Sequence, residues 1–364
     1  MSSIYNGNLK ITIFGESHSE AIGVVIDGLK AGLAIDFTKV TQELEKRKPY
    51  GDISSSRQEK DELQILSGFW NGRTTGTPLA ITILNRDIDS TKYAENKDFL
   101  RPSHADYSAF LKYHGFQDYR GGGHFSGRIT APVVVAGAIC KQILETQMIK
   151  IGTHIKNIYN VTDEEIDFQN IDKIIDELNN KYFATISPQA EAAMIAKISQ
   201  ASKDNDSLGG ILETVVVGDL AGLGEPFFNS FESTVSALIF SIPGIKGIEF
   251  GLGFDFCNKR GSEVNDAFHF SESIKTKTNY NGGINGGITN GMPIIIKTVV
   301  KPTPSISRPQ ETVNIKTSEN VIHEFKGRFD PCIVHRARVV VDSMVAIAIV
   351  DLMIAKKANE WMDI

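Results

Sequence analysis

The chain of 364 residues has little of several features that would place it in a special class of protein. Its three cysteines, Cys140, Cys257 and Cys332, lie far apart without a CxxC motif, so we expect free thiols in a reducing compartment. Lysine and arginine (38) do not exceed aspartate and glutamate (44), and the net charge of −6 argues against a nucleic-acid-binding protein. The N-terminus lacks the blocks of a signal peptide, and no apolar run reaches the length of a membrane span. These absences predict a cytoplasmic protein whose partners are neither nucleic acids nor membranes.

The composition is otherwise that of an ordinary globular protein, with 41% apolar and 23% charged residues. The length suits one large domain or two ordinary ones. No fixed-period repeat, low-complexity segment or break in composition marks a boundary. Strand and helix patterns intermix without a regular βαβ alternation, which predicts a single α+β domain over 1–364. Segment 150–210 is the least informative, and two polar amphipathic patterns make it mostly helical, as a solvated insertion or flank.

Periodicity predicts the individual elements. Strands are expected at 10–14, 22–26, 63–70, 79–84, 212–217, 247–250 and 293–300. Helices are expected at 37–48, 131–146, 163–179, 188–203, 231–240 and 338–360. The 131–146 helix is apolar nearly all round at its start, which indicates a buried helix.

The stretch 101–130 concentrates chemistry in what looks like a long loop. It holds three histidines, three arginines and a glycine triplet: His104, His114, His124, Arg101, Arg120, Arg128 and 121–123. Arginine forks suit phosphate or carboxylate, histidine moves protons near neutral pH, and glycine lets backbone approach a ligand. An anionic ligand with proton chemistry is one interpretation, and a glycine-rich turn with surface charges is the other. The helix start that follows could add an anion site, but no Walker motif is present. A histidine metal site is a weaker hypothesis, because the ten-residue spacing fits no ligand template and HExxH is absent.

Other motifs have a functional and a plain interpretation each. The basic cluster 46–49 suits an anion or a solvated face, and the glycine-rich stretch 279–291 suits a ligand loop or a mobile tip. The turn 301–305 could hold a phosphate or be an exposed proline-rich turn. In 327–331, an arginine and a carboxylate share a turn that could equally be a surface ion pair.

Taken together, these motifs have a specific order. GESH (15–18), RPSHAD (101–106), DYRGGG (118–123), SIPGIKGIE (241–249), RGSEVND (260–266), NGGINGGITNG (281–291), KPTPSI (301–306) and GRFDPC (327–332) follow one another along the chain. This order and spacing resemble the chorismate synthase family over about 8–353. In that family the segment matching 150–210 is variable.

The resemblance implies a fold and an activity. The fold would be a β-α-β sandwich with helices between sheets, and the protein a homotetramer. The activity would be a 1,4-anti elimination of phosphate from 5-enolpyruvylshikimate 3-phosphate to give chorismate, with reduced FMN (FMNH2) required and no net redox change. Some relatives reduce their own flavin with NADPH, but no extra domain is visible here, so we expect an external flavin reductase.

The resemblance also assigns roles to residues. Arg47, Arg101 and Arg128 match substrate contacts, together with Arg57, which lies close to the position where Ile53 replaces a family arginine. His104 would protonate the leaving phosphate, His18 would protonate the reduced flavin, and Asp330 would relay the proton from C6 with Ser17. Flavin contacts would fall on His124, Phe125, Ser126, Pro243, Gly244, Gly286, Lys301, Pro302, Thr303, Pro304, Ser305 and Arg328. No metal is implied.

The sequence departs from the family pattern at several of these places. Ser19 replaces the last glycine of GESHG, His124 and Phe125 stand in a segment that usually reads close to RSSARET, and Val133 replaces an arginine. These departures leave open a divergent member that binds flavin or a phosphorylated ligand without catalysis. A purely structural protein is a weaker alternative, because it would not need these histidines, arginines and glycine loops.

Overall fold

The computed structural model describes residues 3–54, 60–87 and 96–360. Its strands are β1 (Ile4–Asn6), β2 (Lys10–Gly15), β3 (Ala21–Asp27), β4 (Leu63–Ser67), β5 (Phe69–Trp70), β6 (Arg73–Thr74), β7 (Leu79–Leu84), β8 (Lys150–Ile158), β9 (Val161–Thr162), β10 (Gly210–Val217), β11 (Ile245–Phe250), β12 (Phe268–Phe270), β13 (Ile274–Thr276), β14 (Ile284–Asn285), β15 (Ile288–Thr289), β16 (Ile294–Val300), β17 (Pro309–Asn314) and β18 (Glu319–Glu324). Its α-helices are α1 (Phe37–Lys46), α2 (Asp106–Tyr113), α3 (Thr130–Glu145), α4 (Ile171–Asn180), α5 (Pro188–Lys203), α6 (Phe231–Ile239), α7 (Gly261–Val264) and α8 (Val334–Glu360).

The N-terminal sheet is antiparallel and runs in the order β1-β2-β3-β7-β4. In β7 alternate residues are buried, so that Leu79, Ile81 and Ile83 face the core. The strands predicted at 10–14, 22–26 and 79–84 are confirmed. The single strand predicted at 63–70 is wrong, because β4 ends at Ser67 and Phe69–Trp70 turns away to pair with Arg73–Thr74.

The second sheet is also antiparallel, in the order β11-β16-β10-β8-β9. Its strands β10, β11 and β16 lie where the sequence predicts them. Strand β8 was not predicted, because Thr153, His154 and Lys156 interrupt its apolar pattern. All three are buried within polar networks, so β8 lies in the interior of the fold despite its composition.

A helical layer separates the two sheets. Helix α3 packs on β3, and α8 packs on α3 and on strands β8 and β10 of the second sheet. Gly137 brings the two helices together, since a Cβ atom there would lie only 2.1 Å from the Ser343 Cβ. The β-α-β sandwich of the α+β class is thereby confirmed. Within the described residues one helical stretch, Gly127–Glu145, is long and apolar enough to cross a membrane, and 78% of that window is buried inside the protein.

Two expectations about local structure are corrected. The helix predicted from 163 begins only at Ile171, because the Asp163 carboxylate instead accepts hydrogen bonds from the backbone N–H groups of Ile186 and Ser187. The 101–130 stretch is not one continuous loop, since it contains α2 and a short 3₁₀ turn, Gly127–Ile129, while the glycines at 121–123 form a non-helical turn between them. The predicted helices at 37–48, 131–146, 188–203, 231–240 and 338–360 are confirmed, with ends that shift by up to four residues.

Candidate active site

The glycine triplet packs directly on the end of β2. All three glycines have positive φ, and a Cβ on Gly121 would lie 2.5 Å from the His18 ring and 2.7 Å from the Ser17 hydroxyl. The Ser17 N–H also donates to the carbonyl of Gly123 at 3.1 Å. Any side chain at 121 would displace the imidazole, so glycine is required for this approach. Ser17 and His18 are therefore buried beneath a loop that lies about 100 residues away in sequence.

His104 comes to the other side of the same loop. Its Nε2 atom lies 3.7 Å from where a Cβ on Gly122 would be, while Nδ1 lies 2.8 Å from Oδ1 of Asp106. Asp106 also accepts two hydrogen bonds from the Arg101 guanidinium, at 2.7 and 2.8 Å. The structure thus brings Ser17, His18 and His104, which were predicted for proton transfer, around one glycine turn, and Arg101 joins them through Asp106. Asp106 was not predicted as a site residue, although it closes the RPSHAD motif.

Burial and neighbouring charges set the protonation of this cluster. Burial lowers the pKa of His104, and Arg101 and Lys301 lower it further, whereas the hydrogen bond to Asp106 acts in the opposite direction. Burial alone would raise the pKa of Asp106, but the hydrogen bonds from His104 and Arg101 outweigh it and hold that pKa well below its usual range. The result is a permanently ionised carboxylate beside a more acidic imidazolium.

Two arginines share one buried carboxylate beneath the adjoining cleft. Arg47 approaches Oδ2 of Asp61 at 3.4 Å, and Nη1 of Arg128 contacts the other oxygen. The Nε of Arg128 also donates to the side chain of Asn85 at 3.0 Å. Burial lowers the pKa of Arg47 to about 10, so it stays charged at neutral pH. Burial would raise the pKa of Asp61, but the two guanidinium groups bring it below its usual value, and the trio carries one net positive charge.

This trio has unsatisfied donors. The Nε of Arg47 and the Nη2 of Arg128 are buried without a hydrogen-bond partner. An unpaired charged donor in the interior is costly, and an anionic ligand would satisfy it. Both arginines line a cleft of about 1040 Å³ whose wall also includes Arg328, Asp330 and Arg336. The arrangement therefore suits a ligand with more than one anionic group.

Asp330 lies across the cleft in an ion pair. Its carboxylate accepts from Nη1 of Arg336 at 2.8 Å, and Nε of the same arginine donates to the Arg47 carbonyl at 2.8 Å. Arg336 thereby fixes both Asp330 and the end of α1. It was not predicted from sequence, since an arginine in the first turn of a long helix gives no signal of its own. Arg328 is half-exposed and pairs with Asp87 at 3.1 Å.

The turn after β16 meets the turn after α6. The Lys301 N–H donates to the Gly244 carbonyl at 2.9 Å, and its ammonium donates to the Ser103 carbonyl at 2.6 Å. The neighbouring Pro243 lines the cleft together with Arg328. The Thr303 hydroxyl is buried without a partner. Ser305 is also buried, while Pro302 is exposed and Pro304 is partly buried in the same turn. The turn thus offers an ammonium and an unpaired hydroxyl next to Pro243 at the border of the cleft, and such donors suit the phosphate of a flavin mononucleotide.

Other residues predicted at the flavin are placed differently. His124 is engaged within the protein, with Nδ1 donating to the Gly15 carbonyl at 2.7 Å and Nε2 2.8 Å from the Ser3 hydroxyl. The Ser126 hydroxyl accepts the Arg128 N–H at 3.3 Å. Phe125 faces a second, aromatic pocket of about 790 Å³ that also contains His104. The flavin contacts on these residues stay predictions.

Gly286 does not lie beside Pro243 and Gly244, with which it was predicted to contact the flavin. The adjacent Gly287 carbonyl accepts the N–H of Phe231 at the start of α6, whereas Pro243 and Gly244 follow the end of that helix. A helix of nine residues is about 13 Å long, and this length separates the two positions. Arg57 lies outside the described residues.

The apolar departures from the family pattern lie in the core. Ile53 and Val133, which stand where the pattern has arginine, are both buried in the main hydrophobic cluster. The described part of the chain shows no group of three or more histidine, cysteine or carboxylate side chains that could hold a metal ion. His114 ends α2 in the left-handed conformation.

Comparisons with known proteins agree with one another. A family model described as Chorismate synthase matches residues 9–354. The chorismate synthases of Thermococcus kodakarensis and Pyrococcus abyssi are 43% and 44% identical to this chain, each over 97% of it and 98% of the relative. That of Dehalococcoides mccartyi is 44% identical over 97% of this chain and 96% of the relative. A solved structure titled Crystal Structure of Chorismate Synthase superimposes with a TM-score of 0.74 at 27% identity, covering 96% of this chain and 92% of that one.

Proposed function

Since the chain belongs to the chorismate synthase family of carbon–oxygen lyases, we propose that it eliminates phosphate from 5-enolpyruvylshikimate 3-phosphate, in the 1,4-anti sense, to give chorismate. The observation that carries this proposal is the trio of Arg47, Asp61 and Arg128, with buried guanidinium donors left unpaired at the floor of the cleft. The substrate has one phosphate and two carboxylates, which are the groups that such donors recognise.

The leaving phosphate needs a proton or a neutralising cation. We assign the proton to Nε2 of His104, because Nδ1 is engaged by Asp106. The lowered pKa of this imidazole makes its protonated form the stronger acid, and the approach of a phosphate dianion would favour that form during binding. Arg101, which is held by the same carboxylate, would neutralise the departing charge.

The hydrogen at C6 leaves as a proton while the C3–O bond to phosphate breaks and a new double bond forms. We assign the relay of this proton to Asp330, with Ser17 as its partner. Arg336 holds the Asp330 carboxylate at the wall of the cleft, so that its position does not depend on the ligand. His18, enclosed under Gly121, would hold a proton towards the flavin.

Reduced FMN, when bound, supplies electron density that no side chain offers. Lys301, Thr303, Ser305 and Arg328 would hold its phosphate, because the turn next to Pro243 supplies an ammonium and hydroxyl groups and Arg328 supplies a guanidinium in the wall of the cleft. We expect a separate NADPH-dependent reductase to deliver the flavin in the cytoplasm.

We also propose that the protein assembles as a homotetramer. Several large apolar side chains lie on the surface of a single chain, with Phe227 84%, Phe228 93% and Phe270 76% exposed. Exposed aromatic residues in such number are typical of a surface that another protein chain covers. Size-exclusion chromatography with light scattering measures the assembly directly, and a monomer at micromolar concentration would contradict this part of the proposal.

The experiment for the activity is an anaerobic assay with substrate and photoreduced FMN, in which chorismate absorbance and phosphate release are followed together. We expect equal amounts of both products, and no turnover when the flavin is omitted or kept oxidised. If substrate and flavin bind without turnover, the chain is instead a non-catalytic binding protein, and the proposal is wrong.

A further inference from the structure

Asp106 has an unusual number of partners for one carboxylate. It lies at the start of α2 and accepts the backbone N–H of Arg101 at 2.9 Å and two guanidinium hydrogen bonds from the same residue at 2.8 and 2.7 Å. Its Oδ1 atom is also 2.8 Å from Nδ1 of His104. One side chain thus connects a proton donor and a substrate cation of the site proposed above.

We propose that Asp106 is the positioning residue of this site, fixing His104 with Nδ1–H turned towards its carboxylate and Nε2 turned towards Gly122 and the aromatic pocket, and orienting Arg101 at the same time. This inference rests on the proposed function for its kinetic consequences, but its structural part does not. An ionised carboxylate can only accept hydrogen bonds, so Nδ1 must be the protonated nitrogen of the neutral ring. The other nitrogen is left to face Gly122.

Three charged groups act on the His104 ring. Arg101 and Asp106 belong to its own loop and to the start of α2, and Lys301 comes from the turn after β16. The two cations disfavour an imidazolium, and Asp106 is the group that favours it. Without this carboxylate the ring would be more difficult to protonate and free to exchange tautomers. Removal of Asp106 should therefore change the protonation and the tautomer of His104 while the protein still folds.

The chain offers a matched comparison. His154 on β8 also has Nδ1 2.9 Å from a carboxylate, that of Asp163 in the loop after β9, but both side chains are fully buried. This pair has the same contact between Nδ1 and a carboxylate, although Nε2 of His154 also lies 3.7 Å from Glu213, and it lines neither pocket. It serves as an internal reference for the spectroscopic signature of a histidine whose Nδ1–H is held by aspartate.

The first test is nitrogen NMR of the full-length protein labelled with ¹⁵N-histidine. The signals of His104 are assigned as those lost in His104→Gln. We expect the wild-type protein to show Nδ1–H at both His104 and His154, and Asp106→Asn to convert only His104 to a mixture or to the Nε2–H form. A wild-type His104 with its proton on Nε2, or an unchanged tautomer in Asp106→Asn, would overturn the proposal. This result does not depend on whether chorismate is formed.

The second test is a double-mutant cycle on turnover. If Asp106 acts through His104, Asp106→Asn should lower kcat about 10²-fold or more in the wild-type background. In the His104→Gln background it should change kcat less than about threefold, since the group it positions is already absent. KM should rise in both backgrounds, because Arg101 loses its partner in each. An equal loss of kcat in the two backgrounds would refute a role through His104.

Controls separate positioning from folding. Asp176→Asn on α4 removes the same charge from an exposed ion pair with Lys150 of β8, and should leave kcat and KM unchanged. Asp106→Glu keeps the charge and should recover part of the kcat that Asp106→Asn loses. If Asp106→Asn fails to fold, Asp106→Ser, which also removes the carboxylate, takes its place in the NMR test. An Asp106→Glu variant with no recovery and a wild-type His104 tautomer would contradict the proposal.

Discussion

Arg128 and Asp61 form an ion pair under the cleft that is almost fully withdrawn from solvent, with side chains 2% and 1% exposed. Arg47 shares the same carboxylate from α1. Removing two such charges from water is costly, and their attraction offsets the cost only while both partners are present. Loss of either partner should therefore lower the free energy of unfolding.

Asp61→Asn should strongly destabilise the protein, because it leaves two buried guanidinium groups without a counter-charge. We expect a loss of about 3–5 kcal/mol in the free energy of unfolding, measured by urea denaturation. Asp206→Asn, which removes an exposed ion pair with Arg308, should cost less than about 1 kcal/mol. Equal stability of the two variants would show that Asp61 does not hold the arginines.

Arg336→Lys should lower activity more than stability. One ammonium cannot reproduce the two contacts that the guanidinium makes with Asp330 and the Arg47 carbonyl. A misplacement of about 1 Å at a reacting group can cost about 10²-fold, so we expect kcat/KM to fall by about 10- to 100-fold. Arg73→Lys is the matched control, at an exposed arginine that donates to the Gly32 carbonyl. It should change neither kcat/KM nor the free energy of unfolding. An unchanged kcat/KM in Arg336→Lys would exclude a role for this arginine in holding the cleft.

His154 should stabilise the fold at acid rather than alkaline pH. Burial lowers its pKa, but Asp163 at 2.9 Å and Glu213 at 3.7 Å outweigh burial and raise the pKa above 6.5. The stabilisation is therefore complete below the pKa of His154 in the unfolded chain, near 6.5. It is lost as the pH rises through the higher pKa of His154 in the folded protein. Urea titrations of the wild type and His154→Gln at several pH values measure it. The stability difference between them should shrink as pH rises above 6.5, and a constant or growing difference would contradict the assignment.

His335 should act in the opposite direction. It is buried beside Phe183, with Nε2 2.9 Å from the Ser54 hydroxyl, and burial together with Arg336 lowers its pKa to about 3. Between pH 6.5 and 3 the unfolded chain binds the extra proton, so stability falls as pH falls. The expected loss from pH 6.5 to pH 5 is about 1.5 kcal/mol, and His335→Gln should remove that part of the slope. An unchanged acid limb in the variant would show that this histidine is protonated in the folded protein.

The regular elements could largely be predicted because their residues carry the pattern locally. Helix α5 has a proline at its first position and was placed with its bounds unchanged. Strand β8 could not be predicted, since Thr153 and His154 look solvent-facing until their partners are known. Those partners, Asp342 on α8 and Asp163 after β9, are remote or separated by a turn.

The site shows the same division. Ser17, His18 and His104 lie in recognisable motifs, and the structure brings them around the glycine triplet. Asp61 and Asn85 belong to no recognisable motif. They are part of the site because they contact Arg128, which is distant in sequence. Asp106 is the exception, because its place two residues after His104 was a usable signal. Side chains that hold other side chains in place are visible only once distant segments meet.

The central claim is that the cleft floored by Arg47, Asp61 and Arg128 binds the anionic substrate for phosphate elimination. The most direct measurement is kcat/KM for chorismate formation in Arg47→Gln, under anaerobic conditions with reduced FMN. We predict a fall of about 30-fold or more, as for the loss of a buried charged contact, while the exposed control Arg73→Gln stays within about twofold of wild type. An Arg47→Gln enzyme that folds and keeps the wild-type kcat/KM would contradict the account.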